Sequence, residues 1–320
     1  MPRFPEPPTD DYASIYLEDT DRALPETLNP NTRYTHFKTI ARGGKSIIQS
    51  CKDRYLARVI CYKKLKPDMR KDPIEQARFL REARVTASLQ HPSIVPTYEL
   101  GRERDGNMYF TMKLVHGLTM RELFDEQYRD RYDLVQLVDV LIHVVQALRY
   151  AHSHRVIHRD IKPDNILIGR YDEVLLMDWG LAKVWGEDGS SQEPTSDKEV
   201  KGDEPVSTIT GAGNLEGTIA YMSPEQLRKD PDIDYRTDIY SLGVVLYEVL
   251  ARREPFVGET IEQMTRQILD TVPPRPSTLT QLRIPSWLED VALQCMARDP
   301  DDRIQSCGEL IRRLREGWES

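Results

Sequence analysis

Three oxygen-bearing side chains stand at a spacing suited to moving a phosphoryl group. Residues 158–165 read HRDIKPDN, which places Asn165 five positions after Asp160. Asp178 follows thirteen residues later, in the tripeptide Asp-Trp-Gly. One carboxylate can orient an attacking hydroxyl group, while an amide oxygen and a second carboxylate are hard ligands for magnesium. This combination predicts phosphoryl transfer from Mg·ATP.

Composition excludes several other classes of protein. The chain has 39% hydrophobic and 30% charged residues, as an ordinary globular protein does, and a net charge of −8 argues against nucleic acid as a partner. We see no apolar run of the roughly 18–20 residues that span a membrane, and no apolar core of a signal sequence. Four scattered cysteines predict no disulfide framework and no metal site, so we expect a cytoplasmic protein with reduced thiols.

The chain begins with a segment that lacks the composition of a folded core. Residues 1–33 contain six prolines, seven acidic residues and three arginines. Such a proline-containing acidic stretch predicts a flexible tail. The tail is either a solubilising segment or a docking or inhibitory one.

The next part of the chain is predicted to form paired strands. Alternating and β-branched residues occupy residues 35–40, 46–50 and 56–62. Gly43-Gly44 and Asp53-Arg54 interrupt them as turns.

A helix is predicted to follow, with Asp72 as its N-cap and a proline and an acid in its first turn. On this helix Glu82 shares a face with Phe79 and Ala83. An acid on an apolar face requires a basic partner, so Glu82 is a candidate functional residue.

The remainder of the chain has helical periodicity. Helices are predicted near residues 134–151, 239–250, 260–269, 286–297 and 307–315, of which 134–151 is amphipathic and 239–250 is apolar almost all round. His152 and His154 close the first of these as a helix-end pair, since no second ligand pair lies at zinc spacing. A strand-rich first third and a helix-rich remainder predict two lobes with a cleft between them.

Residues 158–165 and 178–180 closely resemble the catalytic loop and the metal-binding turn of protein kinases. Lys162, two positions after Asp160, is typical of Ser/Thr-specific members. With the segments ARGG, MKLV and DWGLAK, the resemblance covers residues 34 to about 315 and is greatest to bacterial kinases of the eukaryotic-like Ser/Thr class. It implies an α+β, bilobal protein-kinase fold with a small β-rich N-lobe and a larger, mostly helical C-lobe.

The resemblance also implies domain boundaries. The N-lobe and hinge would cover residues 34–115 and the C-lobe residues 116–320. An activation segment would run over residues 178–225, with an insert near 186–205 whose seven acids and two lysines predict disorder.

Residues 40–48 are similar to the glycine-rich loop that lets backbone N–H groups approach the ATP phosphates. Gly43 and Gly44 are present, but Ala41 and Ser46 stand where the family pattern has glycine.

Lys63 lies twenty-two residues after Ala41, the spacing at which the family places its phosphate-gripping lysine. Glu82 would be its partner. The neighbouring Lys64 would point to the opposite face of the strand.

The adenine site is implied by the strand and hinge at residues 108–117. Met112 matches the gatekeeper position, and main-chain groups of Lys113 and Val115 would bind the base. The apolar slot around the ring would be formed by Ile40, Ile48, Cys61 and Leu167.

The remaining family roles belong to residues 158–165 and 178–180. Asp160 would orient the substrate hydroxyl, Lys162 would neutralise the moving phosphoryl group, and Asn165 and Asp178 would hold Mg²⁺. ATP and Mg²⁺ are therefore the implied cofactors, and a protein with a Ser or Thr acceptor is the implied partner.

Residues 217–225 resemble the substrate-positioning loop and the end of the activation segment. Asp238 matches the residue that holds the catalytic-loop backbone in the family, and Arg303 matches the arginine that pairs with Glu225. We expect autophosphorylation at Thr208 or Thr210, with Arg159 as the phosphate receptor. Ser207 is a weaker candidate, and Thr218 should stay unmodified because the family uses its hydroxyl inside the active site.

Two other functions fit parts of the pattern. A pseudokinase acting as a nucleotide-binding or scaffold module would explain the degraded glycine-rich loop. A small-molecule kinase with a kinase-like fold would share the catalytic and metal-binding residues, but it would typically lack the loop at 217–225.

Overall fold

The computed structural model describes residues 23–24, 29, 32–128, 132–185 and 219–318. The chain forms two compact units. Of the described residues, the first unit contains those up to 76 together with 96–116, and the second contains those in 77–95 and from 117 onwards.

The first unit is built on a five-stranded antiparallel sheet with the strand order β1-β2-β3-β5-β4. Its strands are β1 (Tyr34–Arg42), β2 (Ser46–Asp53), β3 (Arg58–Leu65), β4 (Thr97–Arg102) and β5 (Met108–Met112). The three predicted strands are thus confirmed, but β3 starts two residues later than the alternating pattern indicated.

A carboxylate explains the later start of β3. Asp53 accepts hydrogen bonds from the backbone N–H groups of Tyr55 and Leu56, at 3.1 and 3.4 Å, which folds these residues into a turn. Ala57 closes the turn with a φ of +49°, so Leu56 cannot continue a strand.

Arg33, which we assigned to the tail, is tied into the first unit. Its guanidinium donates to both carboxylate oxygens of the buried Asp53, at 3.1 and 2.8 Å, and to Glu99 at 2.7 Å. Burial and the arginine together decide the pKa of Asp53: burial raises it, but the bonds from Arg33 outweigh burial and lower it. The folded part of the chain therefore includes this residue.

Helix α1 (Pro73–Ser88) begins as its sequence predicts, because the Asp72 carboxylate accepts the N–H groups of Ile74 and Glu75. Glu82 is buried on the same face as Phe79. Burial of this acid is consistent with the functional interpretation of the helix pattern.

The second unit is mostly helical. Its further helices are α2 (Met120–Leu123), α3 (Leu134–Ser153), α4 (Pro224–Leu227), α5 (Arg236–Ala251), α6 (Ile261–Asp270), α7 (Ser286–Cys295) and α8 (Cys307–Glu316). Five short strands form two small sheets, β6 (Gly117–Thr119) with β8 (Ile166–Gly169) and β9 (Val174–Leu176), and β7 (Val156–Ile157) with β10 (Lys183–Val184).

Helix α5 is the centre of the second unit. Every residue from Thr237 to Ala251 is buried, as predicted for residues 239–250, which are apolar almost all round. Gly243 allows α7 to approach, since a Cβ at this position would lie 2.5 Å from the Cβ of Cys295. The catalytic-loop residues between β7 and β8 are thus supported by a rigid, close-packed element.

Helix α3 packs its apolar residues into this same core. By length and composition alone it could cross a membrane, but 56% of its apolar window is buried inside the protein. A core helix accounts for both observations.

The α+β class predicted from the sequence is confirmed. A sheet dominates the first unit, and helices with short strands make up the second.

Candidate active site

The second unit brings the three residues of the catalytic-loop motif together. Lys162 Nζ lies 3.1 and 3.0 Å from the two carboxylate oxygens of Asp160. Asn165 donates from Nδ2 to the backbone carbonyl of Asp160 at 2.8 Å and to its Oδ2 at 3.0 Å. The carboxylate is therefore held by a cation and an amide.

The surroundings of Asp160 change its acidity. Burial raises the pKa of its carboxyl group, the nearby Lys162 ammonium opposes this rise, and the Asp178 carboxylate adds to it. A carboxylate with a raised pKa is a better proton acceptor, which suits a group that orients a hydroxyl.

The backbone of the catalytic loop is fixed by α5. Asp238 is completely buried and accepts the N–H groups of His158 and Arg159, both at 2.9 Å. The role expected for Asp238 is thereby confirmed. Although burial opposes ionisation of Asp238, the hydrogen bond from His152 lowers its pKa, so the carboxylate stays charged.

The partner of this carboxylate is a residue that the sequence did not indicate. His152 at the end of α3 lies 2.8 Å from Asp238 Oδ2, and its other ring nitrogen lies 3.5 Å from the Cys307 thiol. Burial alone would lower the pKa of His152, but the hydrogen bond to Asp238 raises it to about 10. One feature of the sequence could have indicated this role: His152 is a polar residue four positions after the buried Leu148, on the apolar face of α3.

Two residues offer oxygen atoms suited to a metal. The Nδ2 group of Asn165 is used by Asp160, so the amide oxygen is the atom that Asn165 can present to a metal. Asp178 adopts a φ of +60°, and its Oδ1 accepts the Gly180 N–H at 3.4 Å. The Met177 N–H donates to the Asn165 carbonyl at 2.8 Å, which links the two segments.

This donor set fits magnesium, which accepts amide and carboxylate oxygens and keeps ligands from water and phosphate. Within the residues that the structure describes, no group of three His, Cys, Asp or Glu side chains could hold a metal by itself. A site with one carboxylate, one amide oxygen and substrate phosphates does not need such a group.

Trp179 replaces the phenylalanine usual in this motif and packs as expected. It is fully buried, with its ring 4.5 Å from that of His158 in an edge-to-face arrangement. The substitution preserves the support beneath the turn that is predicted to bind metal.

The end of the activation segment is anchored by a buried ion pair. Arg303 donates to both carboxylate oxygens of Glu225, at 2.6 and 2.7 Å, which confirms the predicted pairing. The Tyr221 hydroxyl is bonded to Glu248 and to Arg121. The proposed phosphorylation sites, Thr218 and the acidic insert lie outside the described residues.

In the first unit, the predicted nucleotide-binding side chains share one face of the sheet. Ile48 pairs with Lys63, and Cys61 pairs with Met112, on neighbouring antiparallel strands. Directly paired residues point to the same side, and residues two apart on β3 do as well. The four side chains therefore line a single surface.

The orientation of Lys63 agrees with the predicted register. It is buried, with 9% of its surface exposed, and its Nζ lies 5.8 Å from the centre of the Phe110 ring. Lys64 points to the other face and binds Glu103 at 2.9 Å. Leu167 and Glu82 belong to the second unit.

The three other residues of the first unit that are predicted to contact adenine lie in different settings. Ile40 lies at an irregularity between β1 and β2 and is 53% exposed. Lys113 donates its N–H to the Pro96 carbonyl at 3.1 Å, so its carbonyl is the group that would meet a base. Val115 follows β5 in a partly buried stretch.

The turn between β1 and β2 does not itself require its glycines. Neither Gly43 nor Gly44 has a positive φ. A Cβ on Gly44 would meet no atom within 4 Å, and one on Gly43 would reach only Ser46, at 3.6 Å. The space at these positions is the property that a phosphate-binding loop needs.

A second feature of this turn was not evident in the sequence. Lys45 Nζ lies 2.6 Å from the carboxylate of Glu75, which is buried in the first turn of α1. The Lys45 carbonyl also accepts the N–H of Lys66 at 2.9 Å. The turn is thus attached to α1 by an ion pair.

Comparison with known proteins agrees with this geometry. The family model for the protein kinase domain matches residues 34–313. The chain belongs to the protein kinase family. The predicted membership is therefore confirmed, and with it the protein-kinase fold.

Several bacterial kinases resemble this one. Serine/threonine-protein kinase PknD of Protochlamydia amoebophila is 36% identical over 87% of the chain, and PknB of Mycolicibacterium smegmatis is 33% identical over 89%. A probable serine/threonine-protein kinase of Streptomyces coelicolor is 34% identical over 87%. The chain spans only 29%, 43% and 39% of the lengths of these three relatives, in that order.

Proposed function

We propose that the protein is an ATP-dependent serine/threonine protein kinase that also phosphorylates itself. The observation that carries this proposal is the arrangement around Asp160. Its carboxylate is bonded to Lys162 and Asn165, on a loop whose backbone is held by the buried Asp238. Positioning of this kind is the main contribution that a protein makes to phosphoryl transfer.

Asp160 orients the hydroxyl of the acceptor and takes its proton as the new phosphate ester bond forms. Lys162, 3.0 Å from this carboxylate, stabilises negative charge on the transferred group. The bond from Asn165 Nδ2 keeps one carboxylate oxygen in place during the reaction.

Asn165 and Asp178 are the residues that would hold Mg²⁺. When bound, the ion neutralises charge on the phosphates and favours departure of ADP. The left-handed backbone at Asp178 and the Gly180 N–H fix the direction of its carboxylate before any ligand arrives.

The first unit supplies the groups that bind the nucleotide. Lys63 would grip the α- and β-phosphates with Glu82 as its partner, and Gly43 and Gly44 would admit the phosphates close to their backbone N–H groups. Met112, the Lys113 carbonyl and Val115 would contact adenine. The apolar residues against the ring would be Ile40, Ile48, Cys61 and Leu167.

A protein acceptor is favoured over a small molecule. Residues 221–225 end in a capped helix fastened by the Glu225–Arg303 ion pair, and a small-molecule kinase typically lacks such a segment. The net charge of −8 argues against a nucleic acid acceptor. The four cysteines form no disulfide, which is consistent with a reducing, cytoplasmic setting.

A pseudokinase is supported by one observation, the replacement of two loop glycines by Ala41 and Ser46. Against it, the five side chains that would handle charge in the reaction are all present, namely Lys63, Asp160, Lys162, Asn165 and Asp178. The relatives described above also carry the names of kinases. We therefore retain phosphoryl transfer as the function.

Incubation of the purified protein with γ-labelled ATP, Mg²⁺ and a generic protein substrate tests the proposal. Acid hydrolysis of the products should release labelled phosphoserine or phosphothreonine. Nucleotide binding without any labelled amino acid would favour the pseudokinase. A parallel incubation replaces the protein substrate with small-molecule acceptors, and label found only on those acceptors would overturn the choice of a protein substrate.

A further inference from the structure

The peptide group that joins Arg159 to Asp160 is held at both of its polar atoms. Its carbonyl oxygen accepts a hydrogen bond from Gln226 Nε2 at 2.8 Å. Its N–H donates to His158 Nδ1 at 3.2 Å. The direction of this peptide plane sets the direction in which the Asp160 side chain leaves the backbone.

The ring of His158 is itself fixed for this task. Its Nε2 lies 3.0 Å from the Met177 carbonyl, which can only accept, so this nitrogen carries the hydrogen. Nδ1 is consequently an acceptor and receives the Asp160 N–H. The N–H side of the peptide is therefore determined by an identified tautomer.

The residue before this peptide has an unfavourable backbone conformation. Arg159 adopts a φ of +65°, in the left-handed region that non-glycine residues rarely occupy. The Arg159 N–H is bound by Asp238, but that bond fixes only the preceding peptide. Rotation of the Arg159–Asp160 peptide itself is opposed by the bonds from Gln226 and His158.

Gln226 is held in one orientation by its own helix. Its Oε1 accepts the N–H of Ser223 at 3.0 Å, and its backbone N–H donates to the Ser223 hydroxyl at 3.3 Å, which forms a capping box at the start of α4. Because the amide oxygen is used by Ser223, the Nε2 group is the part presented to Arg159. The adjacent Glu225 is fastened by the buried pair with Arg303, so the helix itself has a fixed position.

From these contacts we infer that Gln226 is a positioning residue for phosphoryl transfer. It acts through the Arg159–Asp160 peptide and keeps the Asp160 carboxylate in its productive direction. The same amide connects the end of the activation segment to the catalytic loop, so α4 and the loop are fixed together. The inference rests on the proposed kinase activity.

Two substitutions separate the two bonds of the Gln226 amide. Gln226→Glu keeps an acceptor for the Ser223 N–H but places a carboxylate oxygen against the Arg159 carbonyl. Gln226→Lys keeps a donor for the Arg159 carbonyl but has no acceptor for Ser223. A helix cap alone and a positioning role therefore predict opposite rankings of the two variants.

The chain offers a matched control in α3. Gln136 forms the same capping box with Asp133, at 2.9 and 2.8 Å, on an exposed helix start. Gln136→Glu makes the same chemical change in the same motif. It should leave kcat at the level of the parent protein.

The test measures kcat, KM for ATP and the melting temperature of the parent and the variants. We expect Gln226→Glu to lower kcat roughly 10- to 100-fold, as misplacement of a reacting group does, with KM for ATP within about twofold of the parent. Gln226→Lys should lose less kcat and more thermal stability. Gln226→Met, which lacks both bonds, should lose at least as much kcat as Gln226→Glu.

The outcomes distinguish this inference from the proposal beneath it. An inactive parent protein would refute the kinase activity itself. An active parent with parent-like kcat in Gln226→Glu would overturn the inference alone, as would Gln226→Lys proving less active than Gln226→Glu. If Gln226→Glu does not fold, equal kcat for the Lys and Met variants would overturn it.

Discussion

The catalytic loop and the glycine turn differ sharply in how they are held. Each polar group named around Asp160 has a hydrogen-bond partner, in Asp238, His158, Asn165 or Gln226, and the first three of these partners are buried. The turn at residues 43–45 is held by one ion pair and one backbone bond, and Gly43 and Gly44 are exposed.

The difference follows from what each region must do. A group that orients a reacting atom gains rate from being fixed in advance, because reorganisation during the reaction is costly. A loop that closes on phosphates needs open backbone N–H groups, so it cannot satisfy them internally. On either side of the glycine turn, Ala41 and Ser46 depart from the family pattern of glycines.

The largest predicted effect concerns Lys63, the residue proposed to bind the ATP phosphates. Lys63→Met should reduce kcat/KM by about 100-fold or more, because the phosphates lose a buried cation. Lys64→Met is the control and should lose far less, since Lys64 lies on the opposite face against Glu103. A larger loss at Lys64 in steady-state assays would contradict the register of β3.

Loss of phosphorylation in the segment after β10 should have the next largest effect on kinase activity. We expect mass spectrometry to locate phosphate on Thr208 or Thr210 in active protein. The Thr208→Ala/Thr210→Ala double variant should be several-fold less active, because a phosphate that pairs with Arg159 would order this segment. Full activity of the double variant would show that the loop reaches its working state without phosphate.

Gly44→Ala should weaken ATP binding without lowering the thermal stability of the protein. Nothing within 4 Å opposes a Cβ there, so the melting temperature should be unchanged or slightly higher. KM for ATP should rise roughly 3- to 10-fold, the equivalent of about 1 kcal/mol of a weakened phosphate contact. Gly101→Ala is the contrast: its Cβ would lie 2.6 Å from the Tyr109 ring, so stability should fall. Unchanged KM in Gly44→Ala would remove the turn from the nucleotide site.

The pair of His152 and Asp238, which supports the catalytic loop, should make the free energy of unfolding depend on pH. His152 has a folded-state pKa near 10, above its ordinary value of 6.5. Its stabilising contribution is complete below about pH 6.5 and is lost as the pH rises towards 10, by up to about 1.4 kcal/mol per pH unit. Urea unfolding of the parent and His152→Gln should therefore differ most near pH 6 and converge near pH 10. A constant difference across this range would contradict the charged pair with Asp238.

The smallest effects concern the glycine turn. Lys45→Met should change KM for ATP only about twofold to fivefold, the equivalent of up to about 1 kcal/mol, because the half-buried Lys45–Glu75 pair holds the turn together with one backbone bond. Glu75→Gln should have the same effect, and the double variant should add nothing further. Additive losses would show that the two side chains act separately.

Ser46→Gly should keep or raise kcat/KM for ATP, because glycine restores the freedom of the usual loop. The comparison with the parent needs only steady-state rates over a range of ATP concentrations. A clear fall would mean that the serine makes a productive contact.

The sequence predicted the elements and the chemistry but not the supports of the site. Periodicity located α1, α3 and α5, and motif spacing located Lys63 and Asp160. The start of β3 was wrong by two residues because a single carboxylate, Asp53, determines the turn.

Contacts between residues far apart in the chain could not be predicted in this way. The bond from Gln226 to Arg159 spans 67 positions and the bond from His152 to Asp238 spans 86. Gln226 does not depart from an ordinary helix composition, and His152 on the apolar face of α3 indicates a polar partner without indicating which one. Their roles depend on packing, which local patterns do not encode.

The most direct test measures nucleotide binding and phosphoryl transfer on the same preparations of the parent protein and Asp160→Asn. We expect both proteins to bind Mg·ATP with similar affinity, while only the parent transfers phosphate to serine or threonine. Transfer by Asp160→Asn at the rate of the parent, with contaminating kinases excluded, would contradict the assignment of the catalytic loop.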